Sequence, residues 1–117
     1  MDPAFGVVLV SRDNGWSRAV HDALRRRKVD RLVFARPDTL SDALDGKAAL
    51  FVDGRLSGDA AALVARCVRD AASSLRVVLV EAEASESDAT IAKLAHWRDT
   101  RLPDHDELAT LIRRTAS

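Results

Sequence analysis

Asp53 is the residue of this sequence best placed to do chemistry. It ends a short apolar stretch, residues 48–52, and Gly54 follows at once. An apolar stretch of that length, bounded by Lys47 and Gly54, is typical of a strand buried on both faces. Open α/β sheets bind their ligands at the carboxyl ends of the strands. The sequence therefore predicts a carboxylate at the functional edge of a sheet.

Four apolar segments predict the strands around Asp53, and a fifth segment is weak. The predicted strands cover residues 5–10, 32–34, 48–53 and 75–80, with the fifth within residues 96–102. A helical pattern follows each of them. The apolar spacing begins at Trp16, Leu40, Ile91 and Leu108 in four of the predicted helices, and Gly58 opens the Ala-rich one. Strand and helix thus alternate five times, which predicts an α/β fold with one doubly wound parallel sheet and right-handed crossovers.

The fifth strand is expected at an edge. Arg98 and Asp99 are charged, so this segment is predicted to be short and exposed, or a plain loop, with Trp97 covering the core nearby. The last helix carries a capping box, with Asp104 at the N-cap and Glu107 three residues later. For the first helix, Asp13 or Asn14 is the expected N-cap.

Composition limits the class of protein. The chain has 117 residues, enough for one domain with its own core. Its 18 basic and 18 acidic residues cancel, which gives no support for a nucleic-acid partner. No stretch approaches the roughly 20 apolar residues that span a bilayer, and no signal peptide is recognisable, so we expect a cytoplasmic chain without a membrane partner. Cys67 is alone and is expected to be a buried, inert thiol.

The order and spacing of these segments resemble the receiver domains of two-component response regulators, the CheY-like fold. The likeness covers residues 1–117 as a single receiver-like domain. It depends on the Val-rich first and fourth strands and on the segments Leu50-Phe51-Val52-Asp53, Leu56, Leu102-Pro103, Asp106-Glu107-Leu108 and Ile112-Arg113-Arg114. The resemblance implies the strand order 2-1-3-4-5. It also implies that Asp53 is the phosphoacceptor position.

The rest of that family's phosphorylation machinery has no match in this chain. Receiver domains hold Mg²⁺ with an acidic pair after strand one, end strand four with a hydroxyl residue, and end strand five with a Lys before a Pro. Here the matching positions carry Ser11 and Arg12, then Glu81, then Leu102, or Arg101 if the loop is one residue shorter. The pocket implied by the resemblance comprises Ser11, Arg12, Asp13, Asp53, Glu81 and Arg101.

Arg12 suggests how such a pocket would work without metal. A guanidinium is permanently charged and forks onto carboxylates. We expect Arg12 to bridge Asp53 and Glu81 in the space that the metal takes in the family. The plainer alternatives are that Arg12 is a loop cation, that Asp53 only caps nearby amides, and that Asp13 caps the first helix.

Two functions follow from the resemblance. The first is a pseudo-receiver, a signalling module that is not an enzyme, needs no cofactor and acts by protein–protein contact. The second is a working receiver, phosphorylated at Asp53 by a histidine kinase, with Mg²⁺ on Asp13, Asp53 and the Arg55 backbone carbonyl. A small flavodoxin-like enzyme or nucleotide binder is disfavoured, because the loop at residues 11–15 has one Gly only.

The resemblance also implies the kinds of partner. A histidine kinase, an output domain or another signalling protein is expected to bind the face formed by helix four, strand five and helix five. The same face is the expected site of a homodimer. The three histidines have no metal-ligand spacing and are expected at the surface or at helix ends.

Overall fold

The computed structural model describes residues 6–114. Its strands are β1 (Val7–Val10), β2 (Leu32–Ala35), β3 (Ala49–Asp53), β4 (Arg76–Val80) and β5 (Trp97–Asp99). Its helices are α1 (Asn14–Arg26), α2 (Leu40–Ala43), α3 (Gly58–Asp70), α4 (Ala89–Ala92) and α5 (His105–Arg113), with a short 3₁₀ turn, Pro37–Thr39, before α2. Phe5, the predicted start of strand one, lies outside the described residues.

The five strands form one parallel sheet in the order β2-β1-β3-β4-β5. The predicted fold class and strand order are therefore confirmed. In the register of the sheet, Val10 of β1 lies opposite Val52, and Asp53 extends β3 by one residue to lie opposite Val80 of β4. This stagger places the Asp53 carboxylate at the edge where the loops after β1 and β4 also begin.

Helices cover the sheet on both faces, and alternate residues of the central strands pack into two separate hydrophobic cores. On one face Leu50 and Val52 pack with residues of α2, α3 and α4, such as Val64. On the other face Leu9 and Phe51 pack with residues of α1 and α5. All residues of β1 and β3 are buried, which explains why both strands are uninterrupted apolar segments.

The helix starts follow the predicted capping residues. Asp13 is the N-cap of α1, where its side chain accepts hydrogen bonds from the backbone N–H groups of Gly15 and Trp16. Asp104 and Glu107 form the predicted capping box of α5. Each carboxylate satisfies an amide that the helix leaves without a partner.

The fourth crossover is shorter than the pattern predicts. The helical spacing extends to Ala95, but α4 is a single turn that ends at Ala92. By His96 the chain already pairs with the sheet, since the His96 backbone N–H donates to the Val77 carbonyl of β4 at 2.8 Å. The predicted weak edge strand is present as β5, three residues long. No helix within residues 6–114 is long and apolar enough to cross a bilayer.

Candidate functional site

Asp53 is buried at the end of β3 and accepts several hydrogen bonds. Its residue is 3% exposed. The Ser11 hydroxyl donates to Oδ2 at 2.7 Å, and the Arg55 backbone N–H donates to Oδ1 at 3.0 Å. The Arg55 guanidinium forks onto the same carboxylate, with Nε 3.0 Å from Oδ1 and Nη2 2.8 Å from Oδ2. Both oxygens of Asp53 are therefore engaged by donors.

The tight turn after β3 brings Arg55 back over Asp53. The Gly54 N–H donates to the Val80 carbonyl at 2.9 Å, which holds the turn against β4. A Cβ at Gly54 would lie 2.5 Å from that carbonyl oxygen, so only glycine fits there. The bond from the Arg55 N–H to the Asp53 side chain closes an Asx-type turn. The local sequence Asp-Gly-Arg thus positions the guanidinium.

Asp13 is the second carboxylate on the same guanidinium. Its Oδ2 lies 3.1 Å from Arg55 Nη2, and its Oδ1 caps α1. The amide of Gly15, the hydrogen bond from Arg55 and the amide of Trp16 lower the pKa of Asp13. Hydrogen bonding to Asp53 is the main cause that raises the pKa of Arg55. The triad carries two carboxylates and one guanidinium, so the cation is shared.

The Ser11 hydroxyl links the Asp53 carboxylate to the backbone of Asp13. Its hydroxyl donates to Asp53 and accepts a hydrogen bond from the Asp13 N–H at 2.9 Å. Because Ser11 is 4% exposed, this hydroxyl has little access to water. The link fixes the loop after β1 against the end of β3.

Arg12 does not take the role predicted for it. It is exposed, and within residues 6–114 it makes no hydrogen bond or ion pair with Asp53 or Glu81. Arg12 lines two open depressions instead, one of them of about 270 Å³ beside Asp13, Asp53 and Arg55. The predicted bridge is wrong because Arg55, two residues from Asp53, reaches that carboxylate locally. Asp53 has no free oxygen left for Arg12.

Glu81 and Arg101 also have partners elsewhere. Glu81 pairs with Arg98 of β5, at 3.0 Å. Arg101 lies over the Trp97 ring, 5.0 Å from its centroid, and forks onto Glu107 at 2.8 and 2.9 Å. Of the predicted pocket, the structure brings Ser11, Asp13 and Asp53 into contact and leaves the other three residues outside the hydrogen-bonded group.

The groups around Asp53 show whether the Mg²⁺ ion that receiver domains hold would fit in this site. Mg²⁺ takes near-octahedral oxygen ligands at short distances. Asp13 and Asp53 offer carboxylate oxygens, but the Arg55 guanidinium is hydrogen-bonded to both, so a cation at that point must first displace it. In this arrangement the residues do not fit a divalent ion. No group of three or more metal-ligating side chains occurs in the described part of the chain.

Two side chains act in ways that the sequence did not predict. The sequence assigned only the backbone carbonyl of Arg55 to the site; the signal for its side chain was its position two residues after Asp53 in a Gly-containing turn. His96 is not merely a surface residue, since its Nδ1 accepts the Val77 backbone N–H at 2.9 Å. Burial, with Arg76 nearby, lowers the pKa of His96.

Cys67 is only partly buried, and burial raises the pKa of its thiol.

A comparison of the sequence with known protein families and with curated proteins finds no match.

Proposed function

We propose that this chain is a receiver-like signalling module in which Arg55 keeps Asp53 from accepting a phosphoryl group. One observation carries the proposal: the guanidinium donates to both oxygens of Asp53, at 2.8 and 3.0 Å, and also to Asp13. The module then works as a pseudo-receiver, without an enzymatic activity of its own and without a metal cofactor.

Phosphoryl transfer sets requirements that this arrangement opposes. The reaction needs a free carboxylate oxygen in line with the phosphorus, and a metal ion to neutralise the charge on the transferred group. Here the acceptor oxygens are occupied by a cation that is part of the chain. The guanidinium is always protonated and binds Asp53 with two N–H donors, so it does not leave the carboxylate on its own at neutral pH. The bonds from Arg55 to Asp53 and Asp13 also join the turn after β3 to the loop after β1.

Signalling by this module takes place through protein contacts. We assign them to the face formed by α4, β5 and α5, with a histidine kinase, an output domain or another cytoplasmic signalling protein as the partner. The exposed β5 residues Arg98 and Asp99 would shape that surface. Nucleic acid is not a proposed partner, since the net charge is zero.

A working receiver is the second candidate, because one observation favours it. The Arg55 side chain is 46% exposed. Rotation of this side chain into solvent would free the oxygens of Asp13, Asp53 and the Arg55 carbonyl for Mg²⁺. A histidine kinase would then phosphorylate Asp53.

Treatment with a small-molecule phosphodonor and Mg²⁺, followed by intact-mass measurement, separates the two candidates. The wild-type chain is expected to gain no phosphoryl group. Asp53→Asn, which keeps the shape of the side chain but removes the acceptor, is the matched control. An adduct on the wild type that is absent from Asp53→Asn would establish the working receiver and overturn the pseudo-receiver.

A further inference from the structure

The outer edge of β2 exposes apolar side chains. β2 is the first strand of the sheet order, and within residues 6–114 it pairs with β1 alone. Val33 is 42% exposed and Phe34 is 52% exposed, and only one other large apolar residue in the described part of the chain, Leu63, reaches 36%. An exposed apolar edge strand offers a template for pairing with another strand.

The backbone hydrogen bonds show which groups of β2 have no partner. The carbonyls of Arg31 and Ala35 accept from β1 and the residue after it. Alternate residues of a strand direct their backbone N–H and C=O groups to the same side. The backbone groups of Val33 therefore also point toward β1. Leu32 and Phe34 therefore direct their N–H and C=O groups away from the sheet. The backbone of Arg36 is already used by the turn to Thr39.

Opposite charges flank the strand. Asp30 precedes it and Arg36 follows it, and both are exposed. Neither side chain has an ion-pair partner within residues 6–114. Residues 30–36 are an acid, a base, four apolar residues and a base, and Asp30 and Arg36 are equally far from Val33. Those two charges therefore complement each other when a second copy of the strand is reversed.

We propose that two copies of this chain form a twofold dimer through antiparallel pairing of their β2 strands, centred on Val33. In this register Val33 lies opposite Val33 of the second copy, and Leu32 lies opposite Phe34. The two Leu32–Phe34 pairs use the outward backbone groups and make four hydrogen bonds between the copies. The two sheets join into one.

The charges select this register over its neighbours. Centring on Val33 places Asp30 opposite Arg36 of the second copy, on both sides of the axis. Registers that still use the outward groups are shifted to a centre on Leu32 or on Phe34. A centre on Leu32 would oppose Arg36 with Lys28, and a centre on Phe34 would oppose Asp30 with Asp38. Both alternatives bring like charges together.

The apolar pairs fall on the two faces of the joined sheet. Leu32 packs against the core under α1, and the Phe34 ring contacts His21 of α1 edge-on at 5.3 Å. Each Leu32–Phe34 pair therefore continues the α1 side of the core across the axis. The Val33 pair covers the opposite face. This interface is separate from the α4–β5–α5 face, and it does not depend on the state of Asp53.

Sedimentation equilibrium over a concentration series tests the dimer and its register. The wild type is expected to be a reversible dimer. Arg36→Asp places a carboxylate opposite Asp30 of the other copy on both sides of the axis. This repulsion should raise the dissociation constant of the dimer about tenfold. The charge exchange Asp30→Arg with Arg36→Asp should restore it. A wild-type chain that stays monomeric at every concentration would overturn the proposal.

Two further variants keep the test specific. Val33→Lys places two ammonium groups at the axis and should abolish the dimer while circular dichroism shows a folded chain. Arg98→Ala on β5 should leave the dissociation constant unchanged. A dimer that Arg98→Ala weakens and Val33→Lys does not would assign the interface to the α4–β5–α5 face instead, and would overturn the pairing through β2.

Discussion

Two bidentate guanidinium–carboxylate pairs in this molecule have nearly the same bond lengths and different surroundings. Arg55 binds Asp53 at 2.8 and 3.0 Å, and Arg101 binds Glu107 at 2.8 and 2.9 Å. The Asp53 side chain is 5% exposed, whereas that of Glu107 is 33% exposed. Water competes at Glu107 and is excluded from Asp53. The two pairs therefore differ in burial, and we expect Arg55 to contribute more at Asp53 than Arg101 does at the helix cap.

The largest loss of stability is expected from a substitution that disrupts the turn between Asp53 and Arg55. Gly54→Ala places a Cβ 2.5 Å from the Val80 carbonyl oxygen, a backbone atom that cannot move aside. We expect a loss of about 3 kcal/mol in the free energy of unfolding, measured by urea denaturation. Gly46→Ala is the control: its φ is +72° with open space around it, so it should cost about 1 kcal/mol. Equal losses for the two variants would mean that the turn is not tightly held.

The second effect removes the cation from the buried pair. Arg55→Ala leaves the Asp53 charge buried with only Ser11 and one amide as donors, and should cost about 2 kcal/mol. Adding Asp53→Asn should recover much of that loss, because the charge that needs the cation is gone. Arg101→Ala should cost clearly less, since water replaces the guanidinium at Glu107. If the two arginine variants lose equal stability, the distinction by burial fails.

The third effect weakens the buried pair without changing its charge. Ser11→Ala removes the hydroxyl that links Asp53 to the loop after β1, at an expected cost of about 1 kcal/mol. Ser17→Ala is a matched control, because Ser17 is also buried, at 7% exposed, and its hydroxyl makes no hydrogen bond within residues 6–114. Its unfolding free energy should change by less than about 0.5 kcal/mol. A similar loss for both would assign the effect to packing.

The smallest effect is the pH dependence of the exposed pair. Hydrogen bonds from Arg101 and from the Asp104 amide lower the pKa of Glu107 from 4.5 to about 2. The folded pKa lies below the unfolded pKa, so this stabilisation is present above pH 4.5 and is lost as the pH falls toward 2. The melting temperatures of the wild type and Glu107→Gln should differ at pH 7 and converge near pH 2. A constant difference would show that the ion pair does not cause it.

The sequence predicts the position of Asp53 better than its partner. Apolar periodicity places β3 and its terminal carboxylate, and capping rules place Asp13, because both signals are local and repeat through the chain. The partner depends on where one flexible side chain goes after a turn. The sequence alone favoured Arg12, which is near Asp53 through the sheet, over Arg55, which reaches it through the turn. The same limit applies to Arg101, which the Trp97 ring and Glu107 hold away from the site.

Magnesium titration of the isotope-labelled chain, followed through the amide resonances of Gly54 and Arg55, tests the central claim most directly. If the Arg55 guanidinium holds the place of the ion, the wild-type resonances should stay unmoved at concentrations that shift those of Arg55→Ala. The double variant with Asp53→Asn, which lacks the carboxylate, should not respond. Wild-type resonances that shift at the same magnesium concentration as those of Arg55→Ala would contradict the account.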